Sequence, residues 1–391
     1  MLKVLSLFSG IGAFEKALER LNIDYELVGF SEIDKYAIRS YCAIHGVDES
    51  LNLGDVSKID TSKLSKDIDL LTHGSPCQDF SLAGKQAGGD KDSGTRSSLM
   101  YETIRIIGDI KPKYIIWENV KNLLSKKHIH NFNNYLKALD DLGYNSYYQV
   151  LNSKDYGIPQ NRERVFTVSI RKDIDPYDLF QPFPFPEKQE LKLRLKDILE
   201  DNVDEKYYLS EKMIKYISAS GTANFKNADC KINLDIARPI QVGQLYGTEK
   251  EQNPSGGRVY SPSGIMRTLG VGNGMSKPII IDEARIVVAG KTTYGNERGL
   301  ILGDDGISNC LSATDYKRPK QIRTTSNLRV RRLTPKECWR LMGFDDEDID
   351  KCIAIGMSNS QLYKQAGNSI VVDVMLAVLN EIINTGVFEE S

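Results

Sequence analysis

The chain has little histidine and no paired cysteines. Its four histidines, His45, His73, His128 and His130, form no HExxH or comparable ligand spacing. The six cysteines, Cys42, Cys77, Cys230, Cys310, Cys338 and Cys352, include no CxxC pair. A zinc ribbon is therefore not expected, and no metal is called for. A chain of this size with no secretory leader is not a disulfide scaffold, so the thiols are expected to be reduced and the protein cytoplasmic. No apolar run approaches the ~18 residues of a membrane span. The opening MLKVLSLFSG breaks at Gly10 and reads as a buried strand, not a signal peptide. Neither sign of charge dominates: 51 Lys and Arg face 53 Asp and Glu, for a net charge of −2. That argues against a general polyanion binder but permits a local basic groove.

What is present describes a globular protein. The 391 residues are 40% hydrophobic and 27% charged, enough for a large core in roughly two domains. Lys3–Phe8 reads as a strand. Ser9-Gly10-Ile11-Gly12 follows, then a helix with Ala13, Phe14, Ala17, Leu18 and Leu21 on one face. Glu26–Phe30, Asp67–Thr72, Tyr114–Trp117 and Val165–Ile170 read as further strands. Strands alternating with helices predict an α/β fold with a parallel, doubly wound sheet, whose ligands sit at the carboxyl ends of the strands. Gly10, Glu32, Cys77 and Glu118 each fall just past such an end.

The composition changes at Pro182-Phe183-Pro184-Phe185-Pro186, which reads as a stiff extended linker. Residues 1–186 and 332–391 are expected to form the large domain, and 187–331 a smaller β-rich one. An internal repeat lies in the latter. Arg238-Pro239-Ile240 resembles Arg285-Ile286-Val287, and Gly264–Leu269 resembles Gly306–Leu311. The segment Tyr316–Arg340 holds nine basic residues and one acid, and Ile370–Ile383 reads as an apolar helix returning to the first domain.

Four motifs can carry chemistry. The Gly10/Gly12 loop opens a helix, where small residues let a ligand approach the backbone. A dinucleotide loop would need glycine at position 15; Glu15 stands there, and a carboxylate would repel a pyrophosphate. A nucleoside suits the loop better. Glu32 lies where an acid would hold ribose hydroxyls, and Asp55 can accept from an adenine amino group. An ordinary tight turn with two surface acids fits the same residues equally well. Ser75-Pro76-Cys77-Gln78 leads into a long loop, Asp79–Ser98. Cysteine is a strong nucleophile as a thiolate, although most lone cysteines are buried hydrophobes. Glu118 at an apolar strand end is either a proton donor with a raised pKa or, more simply, a cap for the next helix. Gln160, Arg162 and Arg164 alternate onto one face. That face suits phosphate or base contacts, or is merely solvated.

Together with Arg332–Glu337, Leu341–Phe344 and Gly367-Asn368-Ser369-Ile370, these motifs resemble the cytosine-C5 DNA methyltransferase family in order and spacing. The resemblance is weakest at about 187–331, where the family carries its target-recognition domain. It implies S-adenosylmethionine as cofactor, S-adenosylhomocysteine as product and double-stranded DNA as substrate. Cys77 would add to cytosine C6, Glu118 would hold N3 and the exocyclic amine, Arg164 the O2 edge, and Arg162 would support the site. Phe8, Gly10, Gly12, Glu32, Ile33, Asp55, Pro76, Leu99 and Asn368 would line the cofactor pocket. Ile33 stands where members often have a stacking aromatic. Ser81 and Gln160 would contact DNA. Arg258 and Arg267 are candidates for groove contacts, and Tyr316–Arg340 would bind phosphates. The position of a serine that enters the duplex in some members is Ala83 here. Monomeric action is the default, with any cognate restriction endonuclease acting separately.

Three rivals remain. A tRNA-directed member would carry a Cys-Phe-Thr tripeptide, which this sequence lacks. A nicotinamide oxidoreductase is disfavoured by Glu15 and gives the Pro-Cys-Gln loop no role. A catalytically dead binding module is disfavoured by the presence of Cys77, Glu118 and Arg164.

Overall fold

A computed structural model describes residues 1–75, 99–178, 180–208, 300–313, 315, 320–323 and 330–384, together with four short strands at 241–244, 258–260, 279–280 and 288–291. Cys77, Pro76, Ser81, Ala83 and Arg267 lie outside the described residues, as does the repeat copy Gly264–Leu269. The Arg258–Tyr260 strand is described, but not the Arg258 side chain.

Among the described residues, seven strands and four helices build the first half: β1 (Leu2–Leu7), α1 (Ala13–Arg20), β2 (Tyr25–Ser31), α2 (Lys35–His45), β3 (Leu70–His73), α3 (Met100–Ile110), β4 (Tyr114–Val120), α4 (Ile129–Asp141), β5 (Tyr144–Asn152), β6 (Gln160–Asn161) and β7 (Glu163–Arg171). Six of the strands form one sheet in the order β2-β1-β3-β4-β7-β5. The first four are parallel, as expected, but β7 runs antiparallel to both β4 and β5. The sheet is thus mixed. β5 is absent from the sequence reading because YNSYYQVLN is a half-exposed edge without a clean apolar alternation.

Side chains alternate between two cores, as strand geometry requires. Leu70, Tyr114 and Ile116 face one layer, while Leu71, Ile115 and Trp117 face the other. The second layer is covered by α3 and α4. The first is covered by α1 and by the C-terminal helices α5 (Pro335–Arg340), α6 (Asp346–Ala354), α7 (Asn359–Asn368) and α8 (Val372–Asn384). Asn359–Asn384 is long and apolar enough to cross a membrane, but Val374, Met375, Val378, Leu379 and Ile382 are buried in that first core, which confirms the predicted return of the chain.

The proline-rich segment is extended but not free. Phe183 is buried against Tyr147, Tyr177 and Phe185. Beyond it Leu195, Ile198, Leu302, Leu311 and Ile322 share the first core with Leu333 and Trp339. The β-rich region contains a three-stranded and a four-stranded sheet, and Ser308–Asn309 pairs in parallel with β6.

Candidate functional site

The loop after β1 is a strained turn. Phe8, Gly10 and Gly12 all have left-handed φ values, 54°, 58° and 81°. For a residue as bulky as Phe8 this is rare and marks a conformation imposed by its surroundings. Space around Gly10 is open: an added Cβ would meet nothing within 4 Å. At Gly12 the same atom would fall 2.0 Å from His45 Nε2, so the glycine there is a packing requirement.

Glu32, just past β2, organises this end of the sheet. Its Oε2 accepts from Gly10 N–H at 3.0 Å, and its Oε1 accepts from the N–H groups of Ile33 and Asp34 at 2.8 and 2.9 Å. Asn52, missed by the sequence reading, brackets Glu32. Its Oδ1 accepts from Glu32 N–H and Gly54 N–H, and its Nδ2 donates to Glu32 O. The only sequence signal was an Asn two residues before a Gly. Asp55 Oδ1 accepts from Ser57 N–H and Oγ, which holds the carboxyl below the usual aspartate range. Ile33 is 73% exposed, an isolated apolar surface beside Glu32. Leu99 opens α3 and Asn368 closes α7. Glu15, expected to confront an incoming phosphate, is fully buried on the inner face of α1.

The second half of the site is built on β3, β4 and β7. Glu118 lies inside β4, not past its end, because β4 continues to Val120 in register with β7. It does not cap the following turn, whose first flanking residue is Val120. Its Oε1 is 3.0 Å from Arg164 Nε. Burial pushes the Glu118 carboxyl above the ordinary glutamate range, against the opposing influence of Arg164 and Arg162. Arg162 is buried; it donates to Leu311 O at 2.9 Å and to Ser369 O at 2.6 Å. Both arginines also reach Cys310 Sγ, at 3.3 and 3.6 Å. Burial disfavours a thiolate there, yet the two guanidiniums bring the Cys310 thiol below its usual range.

Ser75, the last described residue before Pro76-Cys77, is held firmly. Trp117 Nε1 donates to its Oγ at 3.0 Å and Asn119 Nδ2 to its carbonyl at 3.3 Å. His73 beside it is neutral, since burial pushes its imidazole down to about 3.

Two expectations need correction. Gln160, Arg162 and Arg164 do share a face, but it points inward. Gln160 is fully buried, donating Nε2 to Leu341 O at 2.7 Å and accepting from Leu311 N–H at 3.1 Å. Its amide is committed at both ends and has nothing left for DNA. The basic segment Tyr316–Arg340 is also partly spent within the fold. Lys320 pairs with Asp315, Arg331 with Glu337, and Lys336 and Arg340 with Asp346. Arg332 is exposed.

A model of the C-5 cytosine-specific DNA methylases matches residues 2–384. The orphan methyltransferase M.SPRI of Bacillus phage SPR is 38% identical, the alignment covering 100% of this chain and 99% of that protein. The type II methyltransferase M2.ScrFI of Lactococcus lactis subsp. cremoris is 33% identical over 98% of this chain and 100% of that protein. Among solved structures, the S. pombe Dnmt2 methyltransferase superposes with a TM-score of 0.62 at 18% identity, covering 99% of this chain and 100% of that one. At that identity the likeness speaks for the fold.

Proposed function

The chain belongs to the C-5 cytosine-specific DNA methylase family, and from that membership we propose that it methylates C5 of a cytosine turned out of double-stranded DNA, with S-adenosylmethionine as donor. The observation that carries this reading is the buried Glu118–Arg164 pair, one strand away from the strand that leads to Pro76-Cys77.

The residues around Glu32 fit an adenosyl group. A carboxylate offers about four acceptor positions; backbone donors take three of those on Glu32, leaving one for a ribose hydroxyl. Open space at Gly10 admits a ligand against the backbone, and exposed Ile33 offers an apolar surface to the base. Phe8, Gly12, Asp55, Pro76, Leu99 and Asn368 complete the proposed pocket.

When bound, S-adenosylmethionine supplies an electrophilic methyl group. The chain supplies the rest. A duplex cytosine is unreachable in the stack, so it is flipped into the site. The Cys77 thiolate adds to C6, which makes C5 nucleophilic. Glu118, its carboxyl raised by burial, donates to N3 as negative charge develops on the ring. Arg164 holds the O2 edge, and Arg162 fixes the frame around both. After C5 takes the methyl group, a base, such as water, removes the C5 proton. The C5–C6 double bond re-forms, Cys77 leaves as thiolate and N3 returns its proton to Glu118. Ser81, Arg258 and Arg267 are the remaining proposed DNA contacts, and residues 187–331 the proposed recognition domain.

The relatives named as phage orphan and bacterial type II methyltransferases support a role in protecting host or phage DNA in the cytoplasm. A restriction endonuclease, where one exists, would act separately, and the enzyme would act as a monomer.

The test is transfer of labelled methyl groups to unmethylated genomic DNA, with base-resolution mapping of 5-methylcytosine. One enriched sequence context is expected, and Cys77→Ser should abolish incorporation while retaining cofactor binding. Incorporation only into tRNA would move the enzyme to the RNA-directed branch. Cofactor binding without transfer to either would indicate a binding module.

A further inference from the structure

The glycine loop is held from two sides. Glu32 takes the Gly10 N–H, as described above. On the other side stands His45, the last residue of α2, with its ring 99% enclosed. Both ring nitrogens meet oxygen atoms. Nδ1 lies 2.6 Å from Glu19 Oε1 and Nε2 lies 3.2 Å from Ile11 O. A carbonyl can only accept, and an ionised carboxylate can only accept. Burial works to raise the Glu19 carboxyl, but His45 and Lys16 outweigh it and keep Glu19 on the ionised side. The ring therefore stands between two acceptors, one on α1 and one in the loop.

We propose that His45 is a positioning residue for the cofactor loop, clamping the Ile11 carbonyl to α1 through Glu19. This rests on the reading of that loop as the S-adenosylmethionine site. Ile11 lies between the two glycines, and holding its carbonyl fixes the Ile11–Gly12 peptide plane. Gly12 is then explained: a methyl group there would occupy the place of the His45 ring.

The surrounding charges agree. On α1, Glu15 is buried nearby and Lys16 lies 3.7 Å from Glu19, itself held by Asp348 at 2.9 Å. From β2, Tyr25 Oη donates to Glu19 Oε1 at 3.4 Å. On α2 itself the Tyr41 ring lies 4.7 Å from the imidazole. From α6, Lys351 donates to Ile44 O at 3.4 Å. The nearest charge to the ring is therefore the Glu19 carboxylate.

The consequence is a dependence of cofactor affinity on the His45 ring. Calorimetric titration of the full chain with S-adenosylhomocysteine should show His45→Gln binding about tenfold more weakly than the wild type, with kcat at saturating cofactor little changed. An amide carries its donors on one nitrogen and cannot span Glu19 and Ile11 as the ring does. Glu19→Gln, which leaves the contact to Ile11 in place, should lose less. A wild type that binds normally while His45→Gln matches it in affinity would overturn the proposal alone. A wild type that binds no probe would remove the cofactor reading, and this role with it.

Discussion

Arg164 and Glu118 meet diagonally across two antiparallel strands: Glu118 lies opposite Phe166, Arg164 opposite Val120, and Nε stands 3.0 Å from Oε1. The pair is buried, so its members act on each other in a low dielectric, yet burial still raises the Glu118 carboxyl. A raised carboxyl keeps its proton to higher pH than an ordinary glutamate. Glu118 is therefore expected to remain a proton donor to higher pH than an ordinary glutamate and to lose that capacity as pH rises through its folded pKa. Glu118→Gln should lower methyl transfer by about 10²–10⁴-fold and leave cofactor affinity close to wild type. The alkaline limb of kcat/KM should disappear from whatever activity remains. Single-turnover kinetics across pH would check this; a variant that retains the wild-type limb would show that another group sets it.

Glu32 accepts from three backbone N–H groups in two segments. Glu32→Ala deprives the Gly10, Ile33 and Asp34 amides of their acceptor and removes the proposed ribose partner. Hydrogen bonds to charged groups are worth about 1.5–3 kcal/mol, so cofactor affinity should fall by at least about tenfold. Glu32→Gln should recover part of the loss, since an amide oxygen can still accept. Calorimetric titration with S-adenosylhomocysteine measures both. Unchanged affinity in the alanine variant would remove Glu32 from the pocket.

Much of this arrangement was legible beforehand, for identifiable reasons. The sharp strand-to-helix turn was written in Gly10 and Gly12, and acids at the ends of apolar runs marked Glu32 and Glu118. The alternation of Gln160, Arg162 and Arg164 was also correct. What failed was the direction of that face. Period-2 alternation says which residues lie together, not whether the other side is water or protein. Here the other side is filled by Leu311, Leu341 and Ser369, brought in from 149 to 207 positions away. The same holds for His45 and Cys310, whose roles come from partners distant in sequence; Asn52 showed only its place two residues before Gly54. The basic segment misled because charge count ignores pairing.

Arg331 and Glu337 form a buried bidentate pair at 2.8 and 2.7 Å, with side chains 2% and 0% exposed. Glu337 also accepts from Thr334 N–H and Glu200 N–H, tying the start of α5 to residue 200. Removing one partner strands the other charge out of water. Arg331→Met should cost about 3–5 kcal/mol, whereas Arg332→Met, at an exposed neighbour, should cost less than about 0.5 kcal/mol. Urea unfolding of both variants separates the two. Equal midpoints would mean that Arg331 contributes charge to a surface and nothing to the fold.

Gly367 and Gly46 offer a comparison between two reasons for glycine. Gly46 ends α2 in a left-handed conformation, φ 66°, with open space where a Cβ would go. Gly367 has no such φ, but a Cβ there would lie 2.1 Å from Ser312 C and 2.4 Å from Ala313 N. Those are backbone atoms of the turn whose Leu311 carbonyl receives Arg162. Gly46→Ala should cost about 1–2 kcal/mol in backbone strain and leave transfer unaffected. Gly367→Ala must push α7 away from that turn, at about 3 kcal/mol or more, and should slow transfer by displacing Leu311 and Ser369, the two acceptors of Arg162. Urea midpoints give the stabilities and single-turnover rates the chemistry. A Gly367→Ala protein as stable and as fast as Gly46→Ala would mean that α7 does not need to approach residues 312 and 313 so closely, and that the Arg162 frame tolerates its displacement.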